Sequence, residues 1–152
     1  MEVPQHFAIV LPLLAAGVSL LMSLIVHALS LQTVIRFVRR ERKIGFAGVK
    51  FWRNVVIVAT GVLVLMVAHL LEILIWACML RLCGASREML SAFYYSAGSY
   101  TTLGTVGVAV DPSWRLIGPL EAANGMLMFG VSTAITFSVI ERLIRLRTGE
   151  ID

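Results

Sequence analysis

Three long apolar segments alternate with short polar ones along the chain, and this pattern predicts an all-helical membrane protein. Residues 7–31 carry no charge if His27 is neutral. About 25 residues, each rising about 1.5 Å, cross a hydrocarbon core of about 30 Å. Residues 54–80 and 115–140 are the second and third apolar segments. Residues 87–100 predict a shorter helix, which cannot span this thickness and is therefore expected to be re-entrant.

Polar residues indicate where two of these helices begin. Ser86 is expected to cap the short helix, and Glu88 would lie in its first turn, where the helix dipole favours an acid. Asp111-Pro112 predicts a turn before the last apolar segment. A cleaved signal peptide at the amino terminus is disfavoured, because Glu2 is the only charged residue before a long apolar run.

Composition supports the membrane assignment. Of the 152 residues, 59% are hydrophobic and 14% are charged, whereas apolar residues make up nearer half of a soluble globular domain. This length allows one small helical bundle without a separate soluble domain.

Ten of the thirteen basic residues fall in the first loop or in the carboxyl-terminal tail. By the positive-inside rule both are cytoplasmic, and the amino terminus is outside a plasma (inner) membrane. The loop either contacts anionic lipid headgroups as a topology determinant, or forms a specific site for a lipid or a regulatory partner. Gly45 and Gly48 predict that no helix continues through the loop. The ten basic residues in the loop and the tail are Arg36, Arg39, Arg40, Arg42, Lys43, Lys50, Arg53, Arg142, Arg145 and Arg147.

The second apolar segment contains two ionisable residues, His69 and Glu72, three positions apart on one helical face. An acid inside a membrane segment is costly, so Glu72 is expected to face protein. It would either lie behind the polar stretch that follows the short helix, bonded to His69 or to that helix, or form a structural polar clamp with no other role. Cys78 and Cys83 lie near the end of this segment, too few for a metal site and awkwardly spaced for a local disulfide, so buried thiols are expected.

The stretch 94–114 is the polar interruption between two apolar segments. Its serines and threonines alternate with glycines, and no charged residue lies between Glu88 and Asp111. Backbone carbonyls and hydroxyls are therefore the available chemistry, and rings of such groups replace the hydration shell of a cation in channels. Irregular backbone at membrane depth is tolerated where it lines a cavity or is buried in protein.

Residues 91–130 resemble the pore region of the potassium channel superfamily, in particular small bacterial members with an outer helix, a re-entrant pore loop and an inner helix. The filter pattern of that family is Thr-x-Gly-Tyr-Gly-Asp, and Thr102-Leu103-Gly104 matches its first half. In the ungapped register Thr105, Val106 and Gly107 stand for Tyr, Gly and Asp. A shifted register, which aligns residues 105–109 with Thr-Val-Gly-Tyr-Gly, is also possible. The filter is atypical in both.

The resemblance implies three transmembrane helices plus a re-entrant pore helix and filter loop, assembled as a symmetric homotetramer. Residues 1–53 would be an additional amino-terminal helix with its basic loop, and residues 54–152 the pore domain. The implied site residues are the filter (Thr102, Leu103, Gly104, Thr105, Val106, Gly107), the cavity (Thr133, Thr136), the filter support (His69, Glu72) and a gating hinge (Gly125, Gly130). Close helix packing is the alternative role for the two glycines.

The third apolar segment also carries Glu121 and Asn124 near its outer end, and one of its faces is suited to a wet cavity.

These features predict a passive channel for monovalent cations, K⁺ or Na⁺, without a cofactor. A non-conducting membrane assembly protein that keeps the channel fold is the alternative. The sequence shows no catalytic motif, so no enzymatic activity is expected. The excess of basic over acidic residues indicates contact with the membrane surface and not with nucleic acid.

Overall fold

A computed structural model describes residues 5–45, 47, 50–104 and 110–148, and its regular secondary structure over these residues is entirely helical. Helix α1 is Gln5–Lys43, α2 is Phe51–Leu82, α3 is Met89–Tyr100 and α4 is Ile117–Thr148; a 3-10 turn, Pro112–Trp114, precedes α4.

Helices α1, α2 and α4 are long and apolar enough to cross a membrane. Helix α3 has 12 residues, which corresponds to about 18 Å and is too short to cross. The predicted order of two long helices, one short helix and one long helix is confirmed.

Most of the basic residues after the first apolar segment are helical, contrary to the expectation of a loop. Helix α1 continues twelve residues past its predicted end at Leu31, and Arg40, Arg42 and Lys43 form its last turn. Arginine and lysine are good helix formers and interact favourably with the negative end of the helix dipole. The helix stops before Gly45, whose φ of 66° glycine adopts without steric cost.

The expected cap of α3 is wrong. The Ser86 hydroxyl donates to the Glu88 carbonyl oxygen, 3.1 Å away, and does not accept from a helix N–H. Glu88 is the N-cap residue, so Arg87 lies outside the helix. The turn at Asp111 is confirmed: its carboxylate accepts from the hydroxyl and N–H of Ser113, and these bonds lower its pKa.

The described chain divides into two compact units, and helices α1, α2 and α4 contribute residues to both. The first unit contains Met1–Val26 and Leu70–Met128. Its core is a cluster of mostly aromatic and small residues: Ala16, Trp76, Ala77, Leu80, Ala85, Ala92, Tyr95, Trp114 and Ile117. Small side chains allow helices to approach closely where the surrounding medium is as apolar as the core.

The second unit contains His27–His69 and Phe129–Asp152. Its buried aliphatic residues are Val34, Ile57, Leu65, Ala68 and Leu143. Their packing leaves many large apolar side chains of the unit exposed, among them Leu63, Phe137 and Ile144. Exposed apolar surface on this scale is what a lipid-facing protein presents.

Helix α1 buries small and polar residues and exposes large apolar ones. Its buried side chains repeat every three or four residues, which places them on one face: Pro12, Ala16, Ser19, Ser23, His27 and Val34. Leu14, Val18 and Leu21 are about 60% exposed. Because lipid solvates aliphatic side chains but not hydroxyl groups or imidazoles, this face must contact protein.

Helix α4 touches the backbone at the end of α3. A Cβ atom built on Gly125 would lie 2.0 Å from the Tyr100 carbonyl oxygen, and one built on Gly118 would lie 2.8 Å from the Tyr95 hydroxyl. Gly130 has open space around it. These contacts give Gly125 a packing role, and a hinge at Gly125 or Gly130 stays a prediction.

Substitution of Gly125 and Gly130 should separate the effect of packing from that of helix propensity. Gly125→Ala should destabilise the protein by about 1–3 kcal/mol, because the methyl group collides with backbone that cannot rotate away. Gly130→Ala is the matched control and should be neutral or stabilising by up to about 1 kcal/mol. Thermal unfolding of the two variants in one detergent measures the difference; equal midpoints would contradict the close approach.

Candidate functional site

The last turn of α3 leads into the stretch that the sequence assigns to the filter. The N–H groups of Thr101 and Thr102 donate to the carbonyls of Ala97 and Ser99, and that of Gly104 reaches back to Gly98. The Thr101 hydroxyl also donates to the Ala97 carbonyl, at 2.7 Å. The end of α3 is therefore closed by hydrogen bonds, and the chain leaves it in a fixed direction.

Thr102 has a φ of 61°, and it is the one non-glycine residue with positive φ in the described part of the chain. A left-handed conformation costs an L-residue about 1–2 kcal/mol, and more if it is β-branched. Such strain concentrates at functional positions, where the surrounding structure holds it. Gly104 has a φ of 89°, which glycine adopts freely.

The predicted filter is described only in its first half. Thr102, Leu103 and Gly104 are exposed, and the Leu103 side chain is 82% accessible. Thr105, Val106 and Gly107 fall in 105–109, outside the described residues. The choice between the two registers therefore stays a prediction.

Glu72 is fully buried and contacts the short helix, which was one of its two expected arrangements. The Tyr100 hydroxyl of α3 donates a hydrogen bond to its carboxylate. Ile73 and Met128 pack against the same tyrosine, with Phe93 partly buried beside them. The bond thus connects α2 to the residue whose carbonyl is in contact with Gly125.

His69 contacts polar residues of α1 and α4 within the second unit. Its Nε2 atom lies 3.1 Å from the Ser132 hydroxyl of α4, and the same hydroxyl lies 3.3 Å from Nε2 of His27 on α1. The two rings are 5.3 Å apart between centroids, and Phe129 packs on His69 at 4.5 Å. This bridge joins three helices within the second unit.

Sequence reasoning did not assign a role to His27 or to Ser132. A signal was present, since His27 shares a helical face with Ser19 and Ser23 in an otherwise apolar helix. A polar stripe of this kind marks the face that contacts protein. The partner of His27 on α4 cannot be found from the sequence spacing, because 105 positions separate His27 from Ser132.

One face of α4 is expected from the sequence to line a wet cavity. At the outer end of the helix this face is buried. Glu121 and Asn124 are almost completely inaccessible. Ser96 of α3 lies close enough to Glu121 to interact, but no hydrogen bond of ordinary geometry joins them. The Asn124 amide nitrogen likewise has no partner among the described residues. A buried carboxyl group in this setting requires a proton or an ordered water molecule.

Thr133 and Thr136, the predicted cavity residues, line a depression of about 400 Å³ together with His69 and Ser132. Each threonine hydroxyl donates to a carbonyl one turn earlier in α4, at 2.8 Å. Their oxygens keep lone pairs that can accept hydrogen bonds from water. A role in a conduction cavity stays a prediction.

Both cysteine thiols are free and half-buried. Burial raises the pKa of Cys83, which lies just beyond the end of α2. This thiol is therefore a poor nucleophile.

The bond between Tyr100 and Glu72 should stabilise the fold. Tyr100→Phe removes the hydroxyl donor from a buried carboxylate and should cost about 1–3 kcal/mol. Tyr94→Phe, at an exposed position on the same helix, should change stability by less than about 0.5 kcal/mol. Unfolding midpoints in detergent compare the two variants.

Glu72→Gln tests the same contact from the other side. We expect it to lower the yield of folded protein more than it changes any ion selectivity. A double-mutant cycle with Tyr100→Phe should give a coupling energy of about 0.5–3 kcal/mol. Strict additivity would show that the two side chains act independently.

One of three comparisons with known proteins finds a match for this chain. No curated protein and no solved structure matches the chain significantly. A family model described as "Ion channel" matches residues 63–142, a segment that runs from the middle of α2 through α3 into α4. Since this match covers more than half of the chain, the protein belongs to the ion channel family, within the pore-loop superfamily that its residues around Thr102 resemble.

Proposed function

We propose that this protein is a passive cation channel of the plasma membrane, formed by four copies around a central pore. Potassium or another monovalent cation would pass the backbone carbonyls and threonine hydroxyls of the filter. The amino terminus would be outside and the carboxyl terminus cytoplasmic, in accord with the positive-inside rule. The proposed filter residues are Thr102, Leu103, Gly104, Thr105, Val106 and Gly107.

The observation that carries this proposal is a short helix, α3, between two long ones, inside the segment that the ion channel family matches. A 12-residue helix followed by hydroxyl-rich and glycine-rich backbone is suited to a re-entrant loop. The carbonyl end of such a helix bears a partial negative charge, which attracts cations. The family match accounts for no part of α1.

Assembly follows from the exposure of this polar segment. Residues 101–104 are accessible in the single chain, and a lipid environment would leave their carbonyls without partners at a cost of several kcal/mol each. Copies arranged around an axis would turn these groups toward water and ions. The number four rests on the resemblance to potassium channels.

Thr133 and Thr136 of α4 are the proposed cavity residues. Thr133 is exposed and Thr136 half-buried, so both hydroxyl oxygens could contact water in an assembled pore. The atypical filter also supports the alternative of a non-conducting assembly protein. Flux from liposomes containing the purified protein distinguishes the two: a cation leak above that of empty liposomes supports the channel.

Thr102 is the first residue to test. Thr102→Ala removes a hydroxyl at the inner mouth of the proposed filter and should reduce cation flux roughly tenfold, as expected for one lost polar contact to a charge, about 1.4 kcal/mol. Thr101→Ala is the control, because the Thr101 hydroxyl already donates to the helix backbone. Unchanged flux through intact Thr102→Ala protein would place the filter in the shifted register that begins at Thr105.

We expect weaker discrimination between potassium and sodium than in typical potassium channels. In the ungapped register, Val106 replaces a glycine and Thr105 replaces the tyrosine that braces the filter. Positive φ is disfavoured for a β-branched residue by about 1–2 kcal/mol or more, which argues against a regular filter backbone. The filter would then have fewer successive sites at which backbone oxygens replace the hydration shell of the ion, and this would lower selectivity.

Bi-ionic reversal potentials measure this selectivity directly. The combined substitution of Thr105→Tyr, Val106→Gly and Gly107→Asp restores the family pattern and should increase the permeability ratio of potassium to sodium. Strong potassium preference in the unmodified protein would refute the strain argument.

A further inference from the structure

A cavity of about 750 Å³ opens in the second unit, between the ends of α1 and α4 that carry most of the basic residues. Its walls are apolar and its rim is basic. The apolar residues are Ile35, Val38, Ala47, Ile135, Val139 and Leu146, and the basic ones are Arg39, Arg42, Lys43 and Arg142. The Ser138 hydroxyl, which also lines the cavity, donates to a carbonyl of its own helix.

The lining follows one face of each helix and changes in polarity along it. On α1 the face begins with Ile35 and Val38 and ends with Lys43, about 12 Å farther along the axis. On α4 it begins with Ile135 and reaches Arg142 two turns later. The α1 wall is therefore apolar on the membrane side and cationic at the helix end, whereas on α4 the apolar Leu146 follows Arg142.

The charges at the rim are of one sign. No acidic residue lines the cavity in the described part of the chain. Arg36 and Arg145 do not line the cavity; Arg36 donates to Gln32, and Arg145 forms an ion pair with Glu141. A ligand with both negative charge and apolar surface would complement the lining.

We propose that this cavity binds one anionic phospholipid, with its phosphate at the arginine and lysine rim and part of an acyl chain against the aliphatic walls. Guanidinium groups form paired, charge-assisted hydrogen bonds with phosphate oxygens. A soluble phosphate would leave the aliphatic walls uncovered. The proposal concerns lipid binding and does not depend on ion conduction.

A second copy of the chain is a weaker fit for the same cavity. The acids that the described chain offers at this end are Glu41 and Glu141. Glu141 is already paired with Arg145. Lipid is also the molecule that surrounds this part of a membrane protein.

The test uses full-length protein in nanodiscs of phosphatidylcholine with a small fraction of phosphatidylglycerol. Native mass spectrometry, after release of the protein from the nanodiscs, counts the phosphatidylglycerol molecules that stay bound. Thermal unfolding reports their stabilising effect. The double variant Arg39→Gln/Arg142→Gln should lower retention about 100-fold, since each hydrogen bond lost to the charged phosphate contributes about tenfold. Arg36→Gln/Arg145→Gln removes the same charge outside the cavity and should change retention much less.

A second variant tests the apolar part without altering charge. Val139→Trp fills the cavity from its wall and should also abolish selective retention, while circular dichroism should report unchanged helix content. This variant keeps the proposal testable if the double arginine variant does not fold.

Three results would overturn the proposal. Equal loss of phosphatidylglycerol in the cavity variants and the charge-matched controls would indicate general attraction to the membrane surface. Stabilisation by inorganic phosphate equal to that by phosphatidylglycerol would indicate a site for phosphate alone. Absence of selective retention, together with a smaller oligomer for Val139→Trp, would show that a second copy of the chain fills the cavity.

Discussion

The contact between Gly125 and the Tyr100 carbonyl is the constraint on which the first unit depends. It brings α4 against the last turn of α3 at a distance that no side chain allows. The same tyrosine donates its hydroxyl to Glu72 of α2, so one residue positions the end of α3 through its backbone and its side chain together. The direction in which the chain continues toward Thr102 is a consequence of these two contacts.

Polar groups determine how the long helices associate, because aliphatic side chains gain little by leaving lipid. Helix α1 shows this most clearly: its serines and His27 are buried while its leucines are exposed. In the second unit, one hydroxyl on α4 contacts imidazoles from α1 and α2. The amino-terminal helix is thus bound to the others by hydrogen bonds, although the family match does not include it.

Much of this fold could be predicted from hydropathy and length, since three apolar segments and a short amphipathic one leave few alternatives. Helix ends were less predictable. The basic residues after Leu31 were assigned to a loop because charge indicates the membrane surface, but charge does not prevent a helix from continuing into water. Serine is a common N-cap residue, yet the Ser86 hydroxyl donates to a carbonyl oxygen and does not cap the helix. The contact between Glu72 and α3 was one of two expectations, whereas the link from His27 to Ser132 required the tertiary structure.

Thr102 shows how stability and activity can set different demands on one position. Glycine or asparagine would adopt its left-handed backbone at lower energy, and either would be a stabilising substitution if folding alone mattered. The chain instead has a β-branched residue there, directly after a helix whose end is closed by hydrogen bonds. The proposed role of Thr102 in the filter would account for this residue, because backbone strain is retained where a side chain is required for its chemistry.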